Sequence, residues 1–119
     1  MREIWKTMQE NNKYEVSSIG RIRNKKTSRI LKTTISNKGY ERFIIYQKNS
    51  KPKMYYVHRI IASNFLNNNN NYSEVNHKNE NKLDNRVENL EWCNSWYNLH
   101  YGTRLERIWK TKKEKGLYK

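Results

Sequence analysis

The chain has 119 residues, enough for one domain or two small units sharing a core, and 34% of it is apolar against 30% charged. Four tryptophans and nine tyrosines bring the aromatic share to 13%, too high for a disordered chain. Lysine and arginine outnumber aspartate and glutamate by 25 to 11, a net charge of +14, so the expected partner is a polyanion.

Basic and aromatic residues are interleaved, which puts nucleic acid ahead of a membrane surface. No stretch approaches the roughly 18 apolar residues of a spanning helix. Met1 is followed by REIWKTMQENN, which has no apolar signal run. Cys93 alone can form neither an internal disulfide nor a Cys-x-x-Cys zinc site, so an intracellular, reducing setting is expected.

In chain order, residues 1 to 57 read as strands and turns. Tyr14 to Ser17 and Gly20 to Asn24 are short alternating runs, and Arg29 to Ile35 is β-branched. Ser36 to Gly39 is a turn signal leading to Tyr40 to Tyr46, which predicts a hairpin over 29–46. A second turn around Gln47 to Pro52 leads to Met54 to Val57, and together these predict one small antiparallel sheet with Arg and Lys on one face. From His58 the spacing of Ile60, Ile61, Asn64 and Phe65 predicts a short helix, broken by the solvated run Asn67 to Asn71.

Val75 to His77 reads as a strand, Lys78 to Asn89 as a long polar loop, and Leu90 to Cys93 as a second strand. A helix follows, with Asn94 or Ser95 as its N-cap and Gly102 as its stop. Thr103 to Lys119 is a basic tail that can continue as helix. Leu90, Trp92, Ile60, Ile61, Phe65 and Cys93 are the expected core of this half.

Strand, Asn-bearing loop, strand and helix make a ββα unit. In it, Val75-Asn76-His77, Asn89-Leu90-Glu91-Trp92 and Tyr97-Asn98 resemble the HNH endonucleases, in the subgroup of phage and intron homing enzymes. Glu3-Ile4-Trp5-Lys6 and Tyr14 to Asn24 resemble the small β module that precedes the nuclease there, and Tyr101-Gly102-Thr103-Arg104 its continuation, so the likeness covers about residues 3 to 110.

The resemblance implies an α+β fold in three parts: a basic β module over 1–53, a ββα-metal (His-Me finger) nuclease unit over 54–102, and a basic tail over 103–119. It implies hydrolysis of DNA phosphodiester bonds with Mg²⁺ or Mn²⁺, leaving a 5′-phosphate and a 3′-hydroxyl. One site per monomer predicts nicking of double-stranded DNA, and a monomer is expected rather than a dimer. His77 would be the general base, with an ordinary pKa near neutrality. Asn76 and Asn98 would be metal ligands, and Asn89 a clamp on the loop, a role for which Asn85 competes.

Many members of the family carry Asp where this chain has Asn76. Two amide ligands hold a hard cation less well than a carboxylate, so metal is expected to bind weakly until a DNA phosphate completes the shell. The alternative is a catalytically weak or inactive DNA-binding remnant of such an enzyme. His58 and Arg59 match a His-Arg pair of the subgroup that serves either the cleft or packing. His100 is a further candidate, but it stands about 200° around the helix from Asn98, which favours Asn98. Arg21, Arg23, Lys25, Lys26, Arg42, Arg59, Arg104 and Arg107 are candidate phosphate contacts. If about six such residues neutralise phosphates, log K should fall against log salt with a slope of about −5.

Overall fold

A computed structural model describes residues 2–101. Its first three strands, β1 (Trp5–Thr7), β2 (Tyr14–Ser17) and β3 (Ile22–Asn24), form an antiparallel meander in which Val16 faces Ile22 across the ladder. Both of those side chains are buried, while the adjacent Glu15 and Arg23 pair on the opposite face. This is the period-2 alternation of a half-buried sheet. Trp5 adds to that outer face, with the Arg23 guanidinium 3.9 Å from its ring centroid.

A second sheet follows: β4 (Thr34–Ile35), β5 (Glu41–Ile45) and β6 (Lys53–Tyr56). Phe43 and Ile45 of β5 are buried and Ile44 is exposed, so Glu41, two residues before Phe43, belongs by alternation to the inward side. The single antiparallel sheet expected over this region is therefore two three-stranded sheets. The reason lies at residues 24–31. Asn24 Oδ1 accepts from the backbone of Lys26 and Thr27, Ser28 adopts φ 60°, and only the bridge Arg23↔Ile30 survives before the chain leaves the first sheet. The strand expected over Arg29 to Ile35 is reduced to its last two residues.

Helix α1 (Val57–Phe65) turns Val57, Ile60, Ile61 and Ala62 into the core, where it packs on β2, β5, β6, β7 and β8. Asn64, on the same face, is buried without being apolar. Its Oδ1 accepts from Gln9 N at 2.9 Å and its Nδ2 donates to Glu10 Oε1 at 3.0 Å, tying the helix to the β1–β2 turn. A hairpin of β7 (Glu74–His77) and β8 (Leu90–Cys93) and the short helix α2 (Ser95–His100) complete the described chain. Asn94 is the N-cap of α2, its Oδ1 accepting from Tyr97 N at 2.7 Å. The expected stop at Gly102 and the tail 103–119 lie outside the described residues.

One core runs through all of this: Met8, Val16, Ile22, Phe43 and Ile45 from the first half pack with Val57, Ile60, Ile61, Ala62, Val75 and Leu90 from the second. The architecture is α+β with antiparallel strands, and no described helix is long and apolar enough to cross a membrane.

Candidate active site

His77 ends β7, with its side chain buried. Two further rings close on it. Tyr40, in the turn before β5, lies 6.1 Å away between centroids, and His58, in the first turn of α1, lies 5.1 Å away. Tyr40 and His58 also stack on each other at 4.9 Å. Burial, then the nearby His77 and Arg59, push the His58 imidazole down to about 3. A buried imidazole is easier to keep neutral than charged.

The loop between β7 and β8 is held by asparagines in two distinct ways. Asn89 ties the loop to itself: its Oδ1 accepts from Asn79 N at 3.0 Å, and its Nδ2 donates to Asn79 Oδ1 at 2.9 Å and to Asp84 O at 2.8 Å. Asn85 touches the histidine, with its Oδ1 2.7 Å from His77 Nε2, and donates through Nδ2 to Glu41 Oε1 at 2.9 Å. Arg86 forks Asp84 with two contacts of 2.7 Å, and this holds the Asp84 carboxyl down to about 2.

Asn76 and Asn98 each have a carboxylate behind them. Asn76 Nδ2 donates to Glu91 Oε2 at 2.8 Å, and Asn98 Nδ2 donates to Glu74 Oε1 at 2.9 Å. Glu74 and Asn76 share one side of β7 by alternation, and α2 packs on that strand. Since the NH₂ end of each amide faces a carboxylate, any bond to a cation would come from Oδ1, the hard donor that Mg²⁺ or Mn²⁺ takes. A carboxylate hydrogen-bonded behind an amide orients its oxygen and raises its basicity, the arrangement that a ligand to such an ion would need. Asp at position 76 would set two carboxylates at hydrogen-bond distance, which gives Asn a physical reason here. Among the described residues there is no group of three or more His, Cys, Asp or Glu able to hold a metal, so such a site would depend on amides, water and substrate oxygens.

A cavity of about 240 Å³ opens beside these groups, lined among others by Lys38, Tyr40, His58, Arg59, Glu74 and Asn98. A neighbouring cavity of about 420 Å³ shares Tyr40, Glu74 and Asn98 and adds Glu80 and Lys82, so the two form one cleft. His58 and exposed Arg59 thus line the cleft.

His100 turns onto its own helix, stacked on Trp96 at 4.2 Å with Nδ1 2.8 Å from Trp96 O. Arg21 and Arg23 are paired with Glu3 and Glu15, and Lys25 Nζ donates to Thr7 Oγ1 at 3.0 Å. Lys26 lies in the turn after β3, and Arg42 stands half-buried in β5. Arg104 and Arg107 lie outside the described residues. Sequence reasoning missed Tyr40, Glu41, Glu74 and Glu91 as neighbours of the site. Glu91 and Glu74 had a signal, the first because the hairpin register sets it opposite Asn76 and the second because it stands two residues before Asn76 on β7.

Residues 3–46 match the NUMOD4 motif. Over 110 residues the chain is 38% identical to the uncharacterized HNH endonuclease L245 of Acanthamoeba polyphaga mimivirus, covering 91% of this chain and 33% of that protein. It is 34% identical over 86 residues to the DNA endonuclease I-HmuI of Bacillus phage SP01, covering 72% of this chain and 49% of that one. A solved structure described as DNA binding and cleavage by the HNH homing endonuclease I-HmuI superposes with a TM-score of 0.68 at 26% identity, over 98% of this chain and 61% of the other. The chain spans a third to a half of the length of these curated relatives.

Proposed function

The chain belongs with the HNH endonucleases, by sequence over 91% of its length and by fold, and on that footing we propose that it is a metal-dependent nuclease that nicks double-stranded DNA. The observation that carries the reading is the buried contact of His77 with Asn85 beside a cleft lined by Arg59, Lys38 and Asn98. A nuclease of this class needs a base to activate water, cationic groups for the phosphate, and fixed placement of both.

In this reading His77 takes the proton from the attacking water. Asn85 holds its ring, Asn89 keeps the loop folded around it, and the stacked pair Tyr40 and His58 packs against it from one side. Arg59 and Lys38 at the cleft attract and orient the phosphodiester. Asn76 and Asn98 would hold Mg²⁺ or Mn²⁺, which when bound stabilises charge on the phosphate and the departing 3′-oxygen. A monomer has one such site, hence a nick with a 5′-phosphate and a 3′-hydroxyl.

The test is a supercoiled plasmid at low salt with Mg²⁺, Mn²⁺ or EDTA, using the wild type beside His77→Ala, with folding of both checked by circular dichroism. Nicked circles that require metal and fall by about 10²-fold or more in the variant are expected, the usual contribution of a positioned base. DNA that is shifted on a gel but never cut, whatever the metal, would overturn the enzyme reading in favour of a binding remnant.

A further inference from the structure

Glu41 lies far from His77 in sequence, on a strand of the N-terminal half, yet its side chain reaches the loop around that histidine. It gets there by alternation, sharing the inward side of β5 with Phe43 and Ile45. Both carboxylate oxygens are engaged: Oε2 accepts from Thr33 Oγ1 at 2.6 Å, and Oε1 from Asn85 Nδ2 at 2.9 Å.

An ionised carboxylate can only accept hydrogen bonds. The Asn85 amide therefore has one orientation that satisfies Glu41, with its NH₂ toward the carboxylate and its carbonyl toward His77. That carbonyl stands 2.7 Å from His77 Nε2 and accepts only, so Nε2 must carry the proton. The lone pair of the neutral ring is then on Nδ1. If the amide turned over, its NH₂ would face Nε2, and the proton would have to move to Nδ1.

We propose that Glu41 is a positioning residue that fixes the tautomer of His77 through Asn85, so that the β4–β6 sheet completes the nuclease site. The inference rests on His77 serving as the base, and it deepens that reading by naming what sets which nitrogen is basic. A second contact supports it. Val87 N, in the turn closing the loop, donates to Ser18 O at 2.9 Å, so the N-terminal half holds the loop at Asn85 and again two residues on. The loop cannot shift away from Glu41 without breaking that contact.

The experiment uses the full 119-residue chain labelled with ¹⁵N, and reads the His77 ring nitrogens by long-range proton–nitrogen correlation above the histidine titration range. The wild type is expected to show the Nε2–H tautomer. Glu41→Gln keeps a carbonyl oxygen for Asn85 and should keep that tautomer. Glu41→Leu removes both acceptors at similar size and should give mixed tautomers. In parallel, kcat for plasmid nicking should fall by about tenfold or more in Glu41→Leu, part of what a positioned base supplies. KM for DNA should be unchanged, and Glu41→Gln should recover most of the lost rate.

A wild type in the Nδ1–H form overturns the proposal, as does a Glu41→Leu protein that stays Nε2–H, whether or not it still cuts. If Glu41→Leu fails to fold, Asn85→Ala removes the intervening amide with β5 intact, and a retained Nε2–H tautomer there overturns it equally. A tautomer that shifts as stated in a protein that never nicks DNA upholds the relay and sinks only the nuclease reading.

Discussion

His58 lies flat against Tyr40 with ring centroids 4.9 Å apart and is packed on His77, with Arg59 beside it in the chain. Burial disfavours the charged ring most, and His77 and Arg59 disfavour it further, so the folded protein holds His58 at a pKa of about 3 against an ordinary 6.5. The unfolded chain therefore binds more protons than the folded one between about 6.5 and 3. Stability rises with pH across that window, is fully present above it, and is lost as pH falls through it. At about 1.4 kcal/mol per pKa unit, the loss is on the order of a few kcal/mol. Asp84 and Glu3, lowered by Arg86 and Arg21, act elsewhere: what they contribute is lost only as pH falls below about 5. Urea unfolding followed at intervals from pH 8 to 4 should thus show a decline beginning near 6.5. His58→Phe, which keeps a ring against Tyr40, should flatten the curve above about pH 5. An unchanged slope in that variant would assign the acid sensitivity to another group.

Between β2 and β3 the chain turns through Gly20 at φ +94°, and a Cβ there would stand 3.0 Å from Asn85 Cβ and 3.1 Å from Asn85 O. Glycine is required twice over, by the left-handed backbone and by the closeness of the loop. Gly20→Ala should therefore lower stability by about 1–3 kcal/mol in urea unfolding. It should also displace Asn85, so the His77 ring resonances should move although the substitution is in another element; wild-type resonances in the variant would refute that link. Elements of this kind were unevenly legible. Tyr14–Ser17 and Leu90–Cys93 were read at their observed bounds, because alternation and flanking turn residues mark them. Trp5–Thr7 was not read as a strand, since three residues with one apolar side chain carry no period. The sequence pointed to Asn89 as the clamp with Asn85 as its rival, but nothing in a polar loop says which amide reaches back to the histidine. What decides it is the approach of Gly20 and Glu41 from the other half of the chain, a tertiary fact with no local trace.

At the scale of the molecule, the boundary near residue 53 separates two kinds of sequence but not two cores. Met8, Val16, Ile22, Phe43 and Ile45 on one side of it are buried against Val57, Ile60, Ile61, Val75 and Leu90 on the other. Burying a large apolar side chain contributes about 1.5–3 kcal/mol. Losing five at once exceeds much of the roughly 5–15 kcal/mol by which a domain is stable. A chain of residues 54–119 would also lose Glu41 from Asn85, Ser18 from Val87, and the Gln9 and Glu10 contacts of Asn64. It should be unfolded alone, with a collapsed amide proton spectrum. Adding a separate peptide of residues 1–53 should restore dispersion, because the interface it would fill is core rather than linker. A well-dispersed spectrum from 54–119 by itself would mean that the ββα unit carries its own core and that the N-terminal strands are an attached module. If instead the two pieces fold only together, strands outside the ββα unit are part of what holds His77, and the smallest unit that can position that histidine includes the NUMOD4 region.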